Sequence, residues 1–100
     1  MLVKIFIKRR FKKGKMKEIN ALLRDFRSGA MTQPGYVSGE TLVSYDDPQD
    51  VLVIGTWQNM ESWLAWRGNQ RRIDFERMLE LYQEGSTVYE AFVLGTPPQP

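Results

Sequence analysis

The chain of 100 residues contains neither cysteine nor histidine. Without cysteine there is no disulfide scaffold, no thiolate nucleophile and no sulfur-ligated metal site. Without histidine the commonest general base and the usual zinc ligand are both missing, which excludes Ser-His and Cys-His nucleophilic chemistry. Catalysis must then draw on carboxylates, tyrosine, lysine, a bound cofactor or the reactivity of the substrate itself. Long apolar runs are lacking too: none approaches the roughly 20 residues that cross a bilayer. The opening Met1-Leu2-Val3-Lys4-Ile5-Phe6-Ile7 is apolar, but Lys8, Arg9 and Arg10 follow it instead of preceding it, the reverse of a secretory signal. Cytoplasm is the expected compartment, with no membrane partner.

What is present is the composition of a globular domain, 42% hydrophobic and 26% charged. A domain of this length buries only about two-thirds of its unfolded surface, so a larger core requires a partner. The net charge of +2 conceals an asymmetry. Residues 1–27 hold ten basic and two acidic side chains, whereas residues 28–100 hold four basic and ten acidic. The basic excess centres on Lys8-Arg9-Arg10-Phe11-Lys12-Lys13-Gly14-Lys15. This run is either an anion or nucleic-acid patch or a solvated strand-to-helix loop, and the loop is preferred because such clusters commonly serve solubility.

Seven elements follow from the patterning. Met1 to Arg9 alternates Val3, Ile5 and Ile7 with Leu2, Lys4, Phe6 and Lys8, which suits a strand with one strongly buried face. After Gly14 a helix runs from Lys15 to Ser28 on the stripe Met16, Ile19, Leu22, Leu23 and Phe26, with Gly29 as its C-terminal stop. Gln33-Pro34-Gly35 turns the chain into a second strand, Tyr36 to Tyr45, with Val37, Thr41, Val43 and Tyr45 on one side. Asp46-Asp47-Pro48-Gln49 is a hairpin connection to a third strand, Val51 to Gln58. Asn59 is placed to cap a short helix through Arg67, and a longer helix from about Gln70 to Gln83 is closed by Gly85. Thr87 to Leu94 is the fourth strand. The domain spans residues 1–95, and 96–100 is a proline-rich tail that cannot pair in a sheet.

This order predicts an α+β, ferredoxin-like βαββαβ fold: a four-stranded antiparallel sheet with helices on one face. The third strand's Val51-Leu52-Val53-Ile54 run is apolar on both sides, where an antiparallel sheet usually leaves one face wet. Cover by a second copy of the chain, sheet against sheet, supplies what one layer of helices cannot. A homodimer is therefore expected.

All three tryptophans fall within ten residues, Trp57, Trp63 and Trp66, where a strand hands over to a helix. Each indole buries on the order of 150–250 Å² and carries an N–H that seeks a partner, so the three line either a core corner or an aromatic pocket. The element order, the Gln33-Pro34-Gly35-Tyr36 turn and the Gly55-Thr56-Trp57-Gln58-Asn59-Met60-Glu61-Ser62-Trp63-Leu64-Ala65-Trp66 crossing resemble the antibiotic biosynthesis monooxygenase family of dimeric α+β barrels. The resemblance runs from about Met1 to Leu94. It implies a homodimer with a pocket between sheet and helices for flat aromatic molecules, and cofactor-independent oxygenation of quinol-type substrates among the family's activities. Where haem-degrading relatives carry an axial histidine and a strand asparagine this chain has Glu76 and Ile7, although Trp66 matches their haem-distorting tryptophan. Haem degradation is not expected. In the quinone-forming enzymes the strand tryptophan corresponds to Trp57, the helix tyrosine to Trp63 and a helix arginine to Arg77, while their strand asparagine aligns with Val53.

The expected substrate-binding residues are thus Trp57, Asn59, Trp63, Trp66 and Arg77, with no metal and no cofactor and with no residue assigned as catalytic. Indoles stack on a planar ligand and a guanidinium pairs with its phenolate or carboxylate. Each has a plainer role as well: Trp57 as core, Asn59 as a helix cap, Arg77 as a surface ion-pair partner. The leading reading is a monooxygenase of a quinol-like or polycyclic aromatic substrate, and its rival is a non-catalytic dimer that binds or senses small aromatic molecules. Nucleic-acid binding on this fold ranks last, because the third strand lacks the open-face aromatics of RNA-recognition sheets.

Overall fold

The computed structural model describes residues 1–95, and the proline-rich tail expected at 96–100 lies outside the described residues. The elements are β1 (Val3–Arg10), α1 (Met16–Met31), β2 (Tyr36–Val43), β3 (Asp50–Trp57), α2 (Met60–Arg67), α3 (Gln70–Glu80) and β4 (Val88–Val93). All strand pairs are antiparallel and the sheet order is β2-β3-β1-β4, the ferredoxin-like arrangement. The pleat sorts β1 cleanly. Val3, Ile5 and Ile7 are buried on the helix side, where they join Ile19, Phe26 and Ala30 of α1, Trp63 and Trp66 of α2 and Leu79 of α3. Each fully buried aliphatic or phenyl side chain stabilises the fold by about 1.5–3 kcal/mol.

No helix lies over the other face among the described residues. Phe6 meets Phe92 edge to face at 5.1 Å there, and Leu42, Val88 and Phe92 are exposed. Two lysines are anchored there: Lys8 Nζ lies 2.9 Å from Glu90 Oε1, and Lys4 Nζ donates to Thr56 Oγ1 at 3.0 Å.

The departures from the sequence reading are largest at three element ends. Helix α1 does not stop at Gly29 but continues to Met31, and Gly29 is there because a Cβ would stand 3.2 Å from Trp66 Cη2. The helix ends at Thr32, whose hydroxyl donates to the Gly29 carbonyl at 2.8 Å. Strand β2 ends at Val43, leaving Tyr45 99% exposed, and a bulge between Tyr36 and Ser38 leaves Val37 unpaired, so Val37 and Tyr45 do not share a row with Thr41 and Val43. Helix α3 closes at Glu80, and Gly85 takes its φ of +87° in the loop beyond.

The basic run is dispersed by the pleat instead of forming one patch. Lys8 points to the outer face, Arg9 is buried on the helix side, and Arg10 Nη1 donates to Asp47 at 2.7 Å and Asp50 at 2.9 Å in the β2–β3 hairpin. The hydrogen bond from Arg10, followed by one from the Gln49 backbone, holds the Asp47 carboxyl below its ordinary range.

Candidate functional site

The helix side of the sheet holds a partly open cavity of about 70 Å³ beneath α1. Its floor is made by the pleat and one pairing: Gly39 of β2 lies opposite Gly55 of β3, flanked by Thr41 opposite Val53. Two side chains are thus missing at adjacent positions, and the polar tips of two aromatics lie over the gap. A Cβ on Gly39 would come within 2.6 Å of the Tyr36 hydroxyl, and one on Gly55 within 3.3 Å of Trp57 Nε1. The walls are Phe26, Trp57, Trp63 and Trp66, with Trp57 6.1 Å from Trp63, Tyr36 edge-on to Trp57 at 5.4 Å and Phe26 edge-on to Trp66 at 6.2 Å.

One water needs about 10–15 Å³, so the cavity has room for a few waters, well short of the roughly 300–1,000 Å³ of drug-sized ligand sites. A surface cleft of about 350 Å³ shares Leu23, Arg27 and Thr41 with the cavity. Those three side chains, from α1 and the edge strand β2, line both spaces.

Polar groups are few in the cavity and all are unusual. Arg9, at 4% exposure, continues the inward row of β1, and Arg72, at 3%, sits one helical turn before Glu76 on α3. Glu76 Oε1 accepts hydrogen bonds from Arg9 Nη2, from Arg72 Nη2 at 3.2 Å and from the Tyr89 hydroxyl at 3.2 Å. The Arg72 guanidinium also lies 4.9 Å from the Trp63 ring centre and 5.3 Å from that of Phe26, an aromatic enclosure that favours a cation. Among the described residues, three buried polar atoms have no partner: Arg9 Nε, Arg72 Nε and the Tyr36 hydroxyl. All three residues line the cavity. Native structures keep few such atoms unsatisfied, because each costs about 1–3 kcal/mol when buried alone.

Of the residues expected from sequence, Trp57, Trp63 and Trp66 come together around the cavity, each at most 3% exposed. The division between core for Trp57 and cavity wall for the other two dissolves, since the core and the wall are one place. Asn59 and Arg77 lie elsewhere. Asn59 caps α2, its Oδ1 accepting from Ser62 N–H at 2.8 Å, and Arg77 is exposed, facing an open cleft with Arg67, Glu80 and Thr87. At 100° per residue Arg77 is rotated about 140° from Arg72, so the two cannot share a face of α3. The buried guanidiniums at the cavity belong to Arg9 and Arg72, and the exposed Arg27 of α1 lines its rim. Val53, aligned with the relatives' asparagine, does line it, and Glu76 is occupied by its arginines.

Comparison with known proteins places this geometry. Residues 2–78 match the family model described as antibiotic biosynthesis monooxygenase. A conserved protein from Methanosarcina mazei Go1 superposes with a TM-score of 0.86 at 12% identity, covering 92% of this chain and 91% of that one. SnoaB, a cofactor-independent oxygenase from Streptomyces nogalater, does so with a TM-score of 0.82 at 14% identity, covering 97% of each chain. At such identities the likeness is one of fold. Protein SchA of Streptomyces halstedii is 28% identical over 53 residues, which is 53% of this chain and 14% of that protein's length.

Proposed function

This chain belongs to the antibiotic biosynthesis monooxygenase family, and from that premise we propose that it is a cofactor-independent monooxygenase of a quinol-like or polycyclic aromatic substrate. The observation that carries the reading is the aromatic cavity with a glycine floor and two buried arginines at one side. With Leu23 and Arg27 displaced from between α1 and β2, a flat ring system stacks against the indoles above the glycine floor. An acidic oxygen on the ring system meets the guanidiniums, which stabilise the anion of the substrate, and the dry walls keep water from the reacting carbon. For an anthrone-type substrate the ring methylene becomes a carbonyl: one oxygen atom of O₂ ends on carbon, and the other leaves as water with the two methylene hydrogens. The substrate supplies the electrons, and the resident groups need only hold it as an anion.

Purified protein should consume one O₂ per molecule oxidised with some member of a panel of hydroquinones, naphthols and anthrones. Tight binding across that panel with no oxygen uptake supports the rival, a non-catalytic aromatic-binding module, which Val53 in place of an asparagine favours.

The same reading includes a homodimer closed through the outer sheet face. Phe6, Leu52, Ile54 and Phe92 present apolar surface there that no helix among the described residues covers. Light scattering should give twice the chain mass of 11.7 kDa, and Phe92→Glu should return the protein to that single-chain mass by setting like charges across the two-fold contact.

A further inference from the structure

We infer that Arg9 and Arg72 form an anion site in which Glu76 neutralises only one of the two, so the cavity takes a planar ligand through a single monoanionic oxygen group, a carboxylate or a deprotonated phenol. The inference rests on the aromatic-cavity reading above and adds the charge state of the ligand and the residues that set it.

The argument is a count of buried charge. Two guanidiniums at most 4% exposed share one carboxylate oxygen, and among the described residues no other acidic side chain is bonded to either of them. One positive charge therefore stands without a counterion in a low-dielectric wall, a costly arrangement unless something pairs with it. The free donors are in the matching place. With their Nη2 atoms turned to Glu76, the arginines retain unpartnered Nε–H groups, and both residues line the cavity together with the unpartnered Tyr36 hydroxyl. Arg72 is fixed by Trp63, Phe26 and Tyr89, so little side-chain freedom is left to lose on binding. Glu76 is a positioning residue. It turns the guanidiniums and sets the net charge at +1, and it does not itself line the cavity.

The test is calorimetric titration of the wild-type protein with 2-naphthoate, its methyl ester, 2-naphthol and 2-methoxynaphthalene. Naphthoate should bind about tenfold to a hundredfold more tightly than the ester, the range of a charge-assisted hydrogen bond. Naphthol affinity should climb with pH as the free phenol ionises, while the methyl ether shows no such trend. Comparison of naphthoate with naphtholate tells carboxylate from phenolate as the preferred source of the anion. Arg72→Met should bring the ratio of naphthoate to ester affinity close to one, whereas Glu76→Gln should widen that ratio, a gain that a merely structural role does not produce. If Glu76→Gln does not fold, Tyr36→Phe supplies the second reading, with a smaller loss confined to the anions. Equal binding of acids and neutral analogues overturns the anion site and leaves the aromatic cavity standing. Binding of none of the four overturns both.

Discussion

Trp63→Ala is expected to lower folding stability by about 3–5 kcal/mol, the range for removal of a buried tryptophan. For a domain of this size that corresponds to a fall of roughly 15–30 °C in the midpoint of thermal unfolding. The loss has three sources. Trp63 is 3% exposed, and its ring packs on Trp57 at 6.1 Å and on Tyr89 at 6.2 Å, so two aromatic contacts go with the transferred surface. It also covers the Arg72 guanidinium at 4.9 Å, and its removal admits water to a buried ion cluster. Leu64→Ala on the same helix, at a side chain 51% exposed, should stay within about 0.5 kcal/mol. Circular-dichroism melts of the two variants check both numbers, and Trp63→Phe should recover most of the stability while still weakening aromatic ligands.

Much of the fold was legible because its signals are local. The Val3, Ile5, Ile7 alternation, the α1 stripe and the Asn59 cap each depend on spacing within one element. The departures depend on distant partners. Gly29 has the local signature of a helix stop, yet it serves the approach of Trp66, which arrives from another helix. Arg9 was hidden by its neighbours: Lys8-Arg9-Arg10 reads as a solvated charge run, but the pleat sends the middle residue inward, and the carboxylate that receives it is 67 residues away. The signal was present in the parity of Val3, Ile5, Ile7 and Arg9. Arg72 and Glu76 stand at i, i+4, a spacing shared with countless exposed ion pairs, so their burial cannot be read from sequence. Tryptophan was legible by its size alone. The glycines of the cavity floor were not, because Gly39 faces Gly55 only in a register that the Val37 bulge sets.

Gly55→Val should abolish binding of aromatic ligands while the chain remains folded. Gly55 does not hold a positive φ, so valine is conformationally allowed there, and β-branched residues suit a strand. The new Cβ would stand 3.3 Å from Trp57 Nε1, close enough to require a shift of a few tenths of an ångström, and its two methyls project into a space of about 70 Å³. Overpacking of this kind costs about 1–3 kcal/mol, and relief of the flexible glycine in a strand interior returns about 0.5–1 kcal/mol. Stability therefore changes modestly while the floor that a flat ring must occupy is filled. Trp63→Ala and Gly55→Val then separate two properties of one place: the first enlarges the cavity at the expense of the core, and the second closes the cavity while keeping the core. Titration with 2-naphthoate beside a thermal melt distinguishes them. Undiminished binding by a folded Gly55→Val protein would move the ligand away from the Gly39–Gly55 floor, and with it the role assigned to the three tryptophans.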